Sequence, residues 1–224
     1  MNVLKRIVFC TLMLAGSSIC FGQEISIRGG YNLSKISFKQ ENRTIEGVQS
    51  NPGFNVGSII AFPLKGRLSL ETGLLFTSRG FQQKGVDPSG TLYYSFRRDM
   101  YYLEVPVLMK GSFPLGKVEL FGMIGPYVAY GLYGYDHTTG TGEYSSAVEK
   151  TSVKWGNDEY YKLDRLDYGP KFGAGIKINK LQLGVSYGLG LKNYSNISTL
   201  KQKNRVVEIY IACKIVSFKR VAKN

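Results

Sequence analysis

Charged side chains that alternate with apolar ones are the residues of this sequence best suited to chemistry. Each of them lies in a segment with a period of two, which is typical of an extended strand whose successive side chains point to opposite faces. The pattern places eight of them on the polar faces of strands: Arg28, Glu71, Arg79, Glu104, Arg165, Asp167, Lys171 and Glu208. The same faces also carry Lys110, Lys177 and Lys214.

Acids and bases that face one enclosed space can pair with each other. A buried charge must find a partner or lose its ionisation. We therefore expect these side chains to form a polar network that fills the interior of the fold. A path for protons or solutes is the alternative that the same residues leave open.

Catalytic and metal chemistry have little support in the sequence. His137 is the only histidine, and it follows Asp136 in a stretch rich in Gly and Thr. One histidine without thiol or acidic partners at suitable spacing does not make a zinc site, and Cys213 lies on an apolar face away from any base. Gly173-x-Gly175 lies inside a strand pattern rather than before a helix, which argues against nucleotide binding. We predict no enzyme activity, no cofactor and no metal site.

The elements that must position these charges are clearest in residues 165–191. Apolar residues occupy every second position from 166 to 178 and again from 181 to 191, and Asn179 and Lys180 separate the two runs. Two strands around a two-residue connection that contains Asn form a β-hairpin. The opposite face of this hairpin is mostly glycine with a few charges.

The glycine-rich face indicates which side of the sheet meets water. A narrow closed barrel needs small residues inside, because eight strands leave little lumen. The large apolar face then points outward to lipid, as in a transmembrane β-barrel. A secreted carrier resembling the lipocalins, with its apolar face turned inward, is an alternative that would stay in the soluble fraction.

Eight segments with this pattern follow one another along the chain. The predicted strands are 24–34, 53–62, 68–79, 100–110, 117–133, 165–178, 181–191 and 205–215. The fifth is apolar on both faces, so the pattern does not define its register. Long connections (35–52, 80–99, 134–164 and 192–204) alternate with short ones (63–67, 112–116 and 179–180). This order predicts an all-β, eight-stranded antiparallel up-and-down transmembrane barrel in the outer membrane, with both termini in the periplasm.

The beginning of the sequence has the composition of a secretory signal peptide. Lys5 and Arg6 precede an apolar run, Ile7–Ala15, which is too short to span a membrane as a helix, and small residues follow it. A lipoprotein signal that ends at Cys20 is the alternative. The predicted organisation is a signal peptide over 1–22, a barrel domain over 23–218 and a short basic tail over 219–224.

Three short motifs resemble the PorT-like family of outer-membrane β-barrels. They are Tyr102–Pro106, Gly125–Tyr127, and Asp167–Gly169 leading to Gly173-x-Gly175. The resemblance covers essentially the whole chain after the signal segment, and it implies an eight-stranded barrel in the outer membrane. It also implies a structural or secretion-accessory role, with secretion-system proteins as partners. Because relatives are often labelled porins, a small solute channel is the alternative.

The excess basic side chains must either bind an anionic partner or be solvated by water. The formal net charge is +13, and it falls to +11 if Lys5 and Arg6 are removed. Most of the excess lies in or beside the long connections: Lys39, Arg43, Lys84, Arg97, Arg98, Lys150, Lys154, Lys162, Lys192, Lys201, Lys203 and Arg205. Tyr and Trp residues among them favour a membrane interface. We expect contacts with outer-membrane lipid, including lipopolysaccharide phosphates, rather than with nucleic acid; simply solvated connections are the alternative.

Overall fold

The computed structural model describes residues 23–40, 43–44, 48–86, 93–141, 149–156, 163–193 and 200–218. The predicted signal peptide and basic tail lie outside these residues. The strands are β1 (Glu24–Gln40), β2 (Arg43–Thr44), β3 (Val48–Pro63), β4 (Leu68–Val86), β5 (Tyr93–Leu115), β6 (Val118–Thr141), β7 (Glu149–Ser152), β8 (Leu166–Ile178), β9 (Leu181–Leu189) and β10 (Leu200–Ser217). No helix in the described part of the chain is long and apolar enough to cross a membrane.

Eight long strands close into a ring. Their order is β10-β9-β8-β6-β5-β4-β3-β1, and β1 also pairs with β10 along its whole length. Every neighbouring pair is antiparallel. The two short strands lie off the ring, β2 against β1 and β7 against β6. The prediction of an all-β, up-and-down eight-stranded barrel is therefore confirmed.

Three short connections lie at one end of the barrel. Those at 64–67 and 179–180 fall where the sequence predicts them, whereas the predicted turn 112–116 is only 116–117, because β5 continues to Leu115. Gly66 and Gly116 have φ angles of 68° and 61°, and Asn179 has a φ of 55°. These left-handed conformations suit Gly and Asn, which supply them at little steric cost in tight turns. The first residue of β1 lies at this same end, because Glu24 pairs with Ala61 near the end of β3.

The strands extend beyond their predicted bounds at the opposite end. β4 continues to Val86 and β5 begins at Tyr93, so most of the predicted loop 80–99 is strand. Likewise β6 reaches Thr141 and β10 begins at Leu200. The loop predictions were wrong here because they relied on apolar alternation. A sheet that leaves the lipid keeps its backbone ladder while its outward residues become polar.

The two faces of the wall differ in burial as the alternation predicts. On β8, Lys171 is fully buried while its neighbour Phe172 is 45% exposed. On β6, whose register the sequence leaves open, Phe121 and Met123 point inward, whereas Ile124 is 63% exposed. The core of the fold is the lumen, and the apolar belt is its outer surface.

Candidate functional site

A chain of alternating charges crosses the middle of the lumen. At one end, the Arg28 Nη2 donates a hydrogen bond to Glu208 Oε2 at 2.7 Å. The other carboxylate oxygen of Glu208 accepts from Lys171 Nζ at 3.0 Å. The guanidinium of Arg28 also stacks on Tyr210, with its Cζ 3.5 Å from the ring centroid. This end of the chain joins β1, β10 and β8.

Glu104 on β5 links the two halves of the chain. Its Oε1 accepts from Lys171 Nζ and its Oε2 accepts from Arg79 Nη2. Arg79 in turn donates from Nη1 to Asp167 Oδ2 at 2.6 Å. Three cations thus alternate with three anions, and all six side chains are 3% exposed or less. The network is electrically neutral, which is what allows it to exist away from water.

Hydrogen bonds from neutral side chains complete the network. Ser186 Oγ donates to Glu208 Oε2 at 2.8 Å. At the other end, Asp167 Oδ2 accepts from Asn204 Nδ2 at 3.0 Å and from the Tyr127 hydroxyl at 3.2 Å. These hydrogen bonds help to satisfy Glu208 and Asp167, the outer two of the three carboxylates. Asp167 Oδ1 is buried without a hydrogen-bond partner among the described residues.

Glycine makes room for these large side chains. A Cβ on Gly184 would collide with the ring of Tyr210, and a Cβ on Gly30 would lie 2.8 Å from the Cβ of Tyr210. Both glycines belong to strands adjacent to Tyr210 in the ring, β9 and β1. Gly30 and Gly184, two glycines of the inner face, therefore provide the space that the Arg28–Tyr210 stack occupies.

Strand β5 passes through the layers of the lumen in order. From the end with the long connections, its buried side chains include Met100 and Tyr102 in an apolar layer, Glu104 in the charge network, Leu108 in a second apolar layer, and Lys110. The second apolar layer consists of Leu108, Phe121, Met123, Tyr210 and Ala212. The charge network therefore lies between two apolar layers.

The connection between β6 and β8 contributes to the first apolar layer, the one that contains Met100 and Tyr102. Val153 and Leu163 are buried in it, and Trp155 packs against it. The Trp155 ring lies against Gly131 and meets Tyr102 edge-on at 6.0 Å between centroids. The other members are Ile36, Val48, Phe81, Met100, Tyr127 and Ala129, with Phe96 alongside. This layer fills the lumen at the end with the long connections.

The end with the short turns is open. Lys110 Nζ donates to Glu71 Oε1 at 2.8 Å and to Gln182 Oε1 at 2.7 Å, and this trio forms the floor of a cavity of about 300 Å³. At the rim, Glu24 accepts from Lys214 at 2.9 Å and from Lys177 at 3.5 Å. The cavity is a vestibule that ends at the second apolar layer.

The structure brings together six of the eight residues that the sequence singles out: Arg28, Arg79, Glu104, Asp167, Lys171 and Glu208. Glu71 also lies in the lumen, but in the separate pair with Lys110. Arg165 lies apart, because its Nη1 donates to the carbonyl oxygens of Gly131 and Leu132 at 2.7 and 2.8 Å. Sequence reasoning did not single out the neutral partners Ser186, Asn204 and Tyr127. Only Ser186 lies on a face that the alternation defines, because Asn204 falls in a predicted connection and Tyr127 in the segment without a defined register.

The residues weighed for catalysis are far from a catalytic arrangement. His137 Nε2 lies 3.7 Å from Asp99 Oδ2 on the outer extension of the barrel. Cys213 is a free thiol on β10. Within the described ranges, no group of three His, Cys, Asp or Glu side chains could hold a metal ion.

Several outer basic residues are already paired. Arg98 binds Asp136 through two hydrogen bonds of 2.6 Å, and Arg97 Nε lies 3.0 Å from Asp99. Lys192 Nζ contacts Asp164 at 2.8 Å, and this hydrogen bond raises the pKa of Lys192. Lys201, Lys203 and Arg205, predicted in or beside a loop, lie within β10. Lys162 lies outside the described residues.

Comparisons with known proteins agree with the closed barrel. A family model described as outer membrane protein beta-barrel domain matches residues 21–196. A search of curated proteins found no match.

Several solved bacterial surface and outer-membrane proteins resemble the chain at low sequence identity. The attachment invasion locus protein Ail of Yersinia pestis, in complex with the heparin analogue sucrose octasulfate, is 14% identical, with 88% of this chain and 100% of that chain covered and a TM-score of 0.36. Neisserial surface protein A is 9% identical (85% and 97% covered, TM-score 0.42). OprG of Pseudomonas aeruginosa is 13% identical (87% and 97% covered, TM-score 0.39).

Proposed function

This chain belongs to the outer membrane protein beta-barrel domain family, and we propose that it is a closed, non-enzymatic barrel with a structural or secretion-accessory role like that of PorT. In this proposal residues 1–22 are a signal peptide, residues 23–218 form the barrel, and both termini lie in the periplasm. The partners are secretion-system proteins and outer-membrane lipid, including lipopolysaccharide phosphates.

The layered lumen is the observation that carries this proposal. An ion crossing the barrel would have to pass the layer around Tyr102, the neutral chain from Arg28 to Asp167, and the layer around Leu108. Each charge of the described network has an oppositely charged partner, which holds it away from a passing solute. The vestibule at the short-turn end stops before these layers. Such a barrel acts through its surfaces rather than through a pore.

The motifs that resemble PorT-like barrels contribute directly to this lumen. Tyr102–Pro106 contains Glu104, Gly125–Tyr127 contains Tyr127, and Asp167–Gly169 contains Asp167. All three residues belong to, or hydrogen-bond with, the charge network. The resemblance is therefore one of internal construction, and it supports a shared closed barrel more directly than a shared partner.

Conductance in planar bilayers tests the closed lumen. The purified protein should give no steady current at modest voltage, because the apolar layers leave no continuous water path. Reproducible open-channel currents would overturn the closed barrel and favour the solute channel.

Deletion of the gene tests the accessory role. The secreted and surface proteomes of the deletion strain should lose a defined set of proteins, which should accumulate in the periplasm and return on complementation. Unchanged proteomes together with slower uptake of a small solute would contradict the accessory role.

Export and topology have their own tests. N-terminal sequencing of protein from the outer-membrane fraction should begin at or near Gln23, and a retained Met1 would refute the signal peptide. A tag at Gly140, near the end of β6, should be labelled on intact cells. Labelling only after permeabilisation would invert the proposed topology.

A further inference from the structure

The pair of strands that closes the barrel brings basic residues from the two ends of the chain together. In the β1–β10 ladder, Lys35 lies directly opposite Arg205, and Ser37 lies opposite Lys203. Lys35 and Arg205 are exposed and Lys203 is partly exposed, whereas Ser34, Asn204 and Val206 next to them are buried in the lumen. The three cations therefore share the outer wall, and we call them the seam cluster.

The seam cluster has no counter-charge within the described part of the protein. No acidic side chain there pairs with Lys35, Lys203 or Arg205, in contrast to Arg98, which is held by Asp136. Like charges directly opposite on antiparallel strands destabilise the pair. Further along the same ladder, Lys39 is the register partner of Lys201. The seam cluster, for which no described acidic side chain supplies a counter-charge, therefore favours an external anion.

The position of the seam cluster defines which anion can reach it. Leu33 and Val207, the outward residues that come before it along the wall, are 40% and 37% exposed. Tyr31 pairs with Phe54, and Phe54, Phe76 and Tyr101 continue as an outer band of rings 5.8–6.4 Å apart. Interfacial aromatic residues mark the edge of the hydrocarbon. Lys35 lies four residues beyond Tyr31, about 13 Å along the strand, so the seam cluster lies past the hydrocarbon edge, on the side of the lipid headgroups.

We propose that the seam cluster binds the phosphate groups of a phosphorylated glycolipid in the outer leaflet, with the acyl chains of the lipid against Leu33, Val207 and Ile209. Arg and Lys donate charge-assisted hydrogen bonds to phosphate, and Arg can do so with two parallel bonds. A lipid is favoured over a soluble anion because the cluster is continuous with the apolar wall and lies outside the lumen. This inference rests on the proposed orientation, with the short turns in the periplasm.

A matched pair of triple variants tests the site. The seam variant is Lys35→Gln, Lys203→Gln and Arg205→Gln; the control is Lys65→Gln, Lys117→Gln and Lys180→Gln, three exposed lysines, one in each short turn. Both remove the same charge. The full-length protein, purified from outer membranes, is titrated in nanodiscs of zwitterionic phospholipid with lipopolysaccharide, with dephosphorylated lipopolysaccharide and with pyrophosphate.

The seam variant should bind lipopolysaccharide at least about tenfold more weakly than the wild type, since each basic side chain near a charged membrane surface contributes measurably. The control variant should change binding less than about threefold. The wild type and the seam variant should bind dephosphorylated lipopolysaccharide equally weakly. Equal losses in the two variants, or no loss in either, would overturn a defined site. Pyrophosphate that competes as strongly as the lipid would overturn the choice of a lipid ligand.

Stability separates binding from a purely structural role. In lipopolysaccharide-free nanodiscs the seam variant should melt at the same temperature as the wild type or higher, because the cross-strand repulsion is gone. Lipopolysaccharide should raise the melting temperature of the wild type and not that of the variant. A seam variant that melts lower without any lipopolysaccharide would show that the three residues stabilise the fold itself. Because binding is measured on purified protein, a failed secretion test leaves this result unaffected, and the reverse also holds.

Discussion

The lumen and the lipid-facing wall are built from the same strands under opposite rules. Lys171 is fully buried and the next residue, Phe172, is 45% exposed. Inside, each charge is stable only because its neighbours are present, so the six-residue network should respond as a unit. Outside, each apolar residue gains by contact with lipid independently of the others. Substitutions in the lumen should therefore be non-additive, and substitutions on the wall should add.

Removal of Glu104 should have the largest effect, because this one carboxylate serves both Lys171 and Arg79. Glu104→Ala leaves two buried cations short of a counter-charge, and loss of one partner from a buried ion pair costs about 3–5 kcal/mol. This loss of stability is measured as the change in the free energy of unfolding in lipid vesicles. Glu119→Ala, at the vestibule rim, is the matched control and should change it by less than about 0.5 kcal/mol. A Glu104→Ala protein of wild-type stability would mean that water enters the network.

An arginine in the middle of the wall should have the next largest effect. Phe172 and Val185 are outward residues on β8 and β9, near the middle of their strands. Phe172→Arg and Val185→Arg should each destabilise the barrel in vesicles by about 2–4 kcal/mol, the cost of arginine near the bilayer midplane. Wild-type protein that folds cooperatively in plain buffer would contradict the membrane assignment altogether.

The fold could be predicted from the sequence because lipid and lumen impose a period of two. The hairpin around Asn179, the three short turns and the inward positions of Glu104 and Asp167 all follow from that alternation. The outer extensions could not be predicted in this way. In β4 beyond Arg79 and β5 before Met100, polar residues occupy outward positions, so the strand carries no apolar signal although its hydrogen bonds continue.

Partnerships inside the lumen needed the register of the closed ring. The sequence shows that Arg28 and Glu208 both face inward, but their contact depends on the closure of β1 against β10. Arg165 shows the same limit in reverse: the alternation groups it with the network residues. Because it lies at the end of a strand, it donates to carbonyl oxygens instead of joining the network. The seam cluster was hidden for the same reason, because Lys35 and Arg205 become neighbours only across this pair.

A methyl group tests how tightly the lumen is packed compared with the wall. Gly184→Ala would place a Cβ against the Tyr210 ring, which the Arg28 guanidinium also contacts. Such overpacking costs about 1–3 kcal/mol. At Gly122, an exposed position on β6, a Cβ meets nothing within 4 Å, so Gly122→Ala should leave the free energy of unfolding nearly unchanged. Equal effects at the two sites would mean that Tyr210 can move aside.

The smallest change that compares the two regions is the loss of a single hydroxyl. Its effect on the free energy of unfolding should differ in sign between the lumen and the wall. Ser186 is buried, and its Oγ donates to Glu208 at 2.8 Å and lies 3.5 Å from Arg28 Nη2. Ser186→Ala removes that donor but leaves Glu208 paired with Arg28 and Lys171, so the loss should be about 1 kcal/mol.

Ser58 is the matched serine on the outer face, where it lies opposite Leu74 on β4 and Ile27 on β1. There the hydroxyl faces lipid, an apolar environment in which a polar group is unfavourable, so its removal takes away that cost. Ser58→Ala should be neutral or slightly stabilising in vesicles. Both free energies come from the same unfolding titration. Ser186→Ala as harmless as Ser58→Ala would mean that the charges alone hold the network, and that the neutral donors around it contribute no stability.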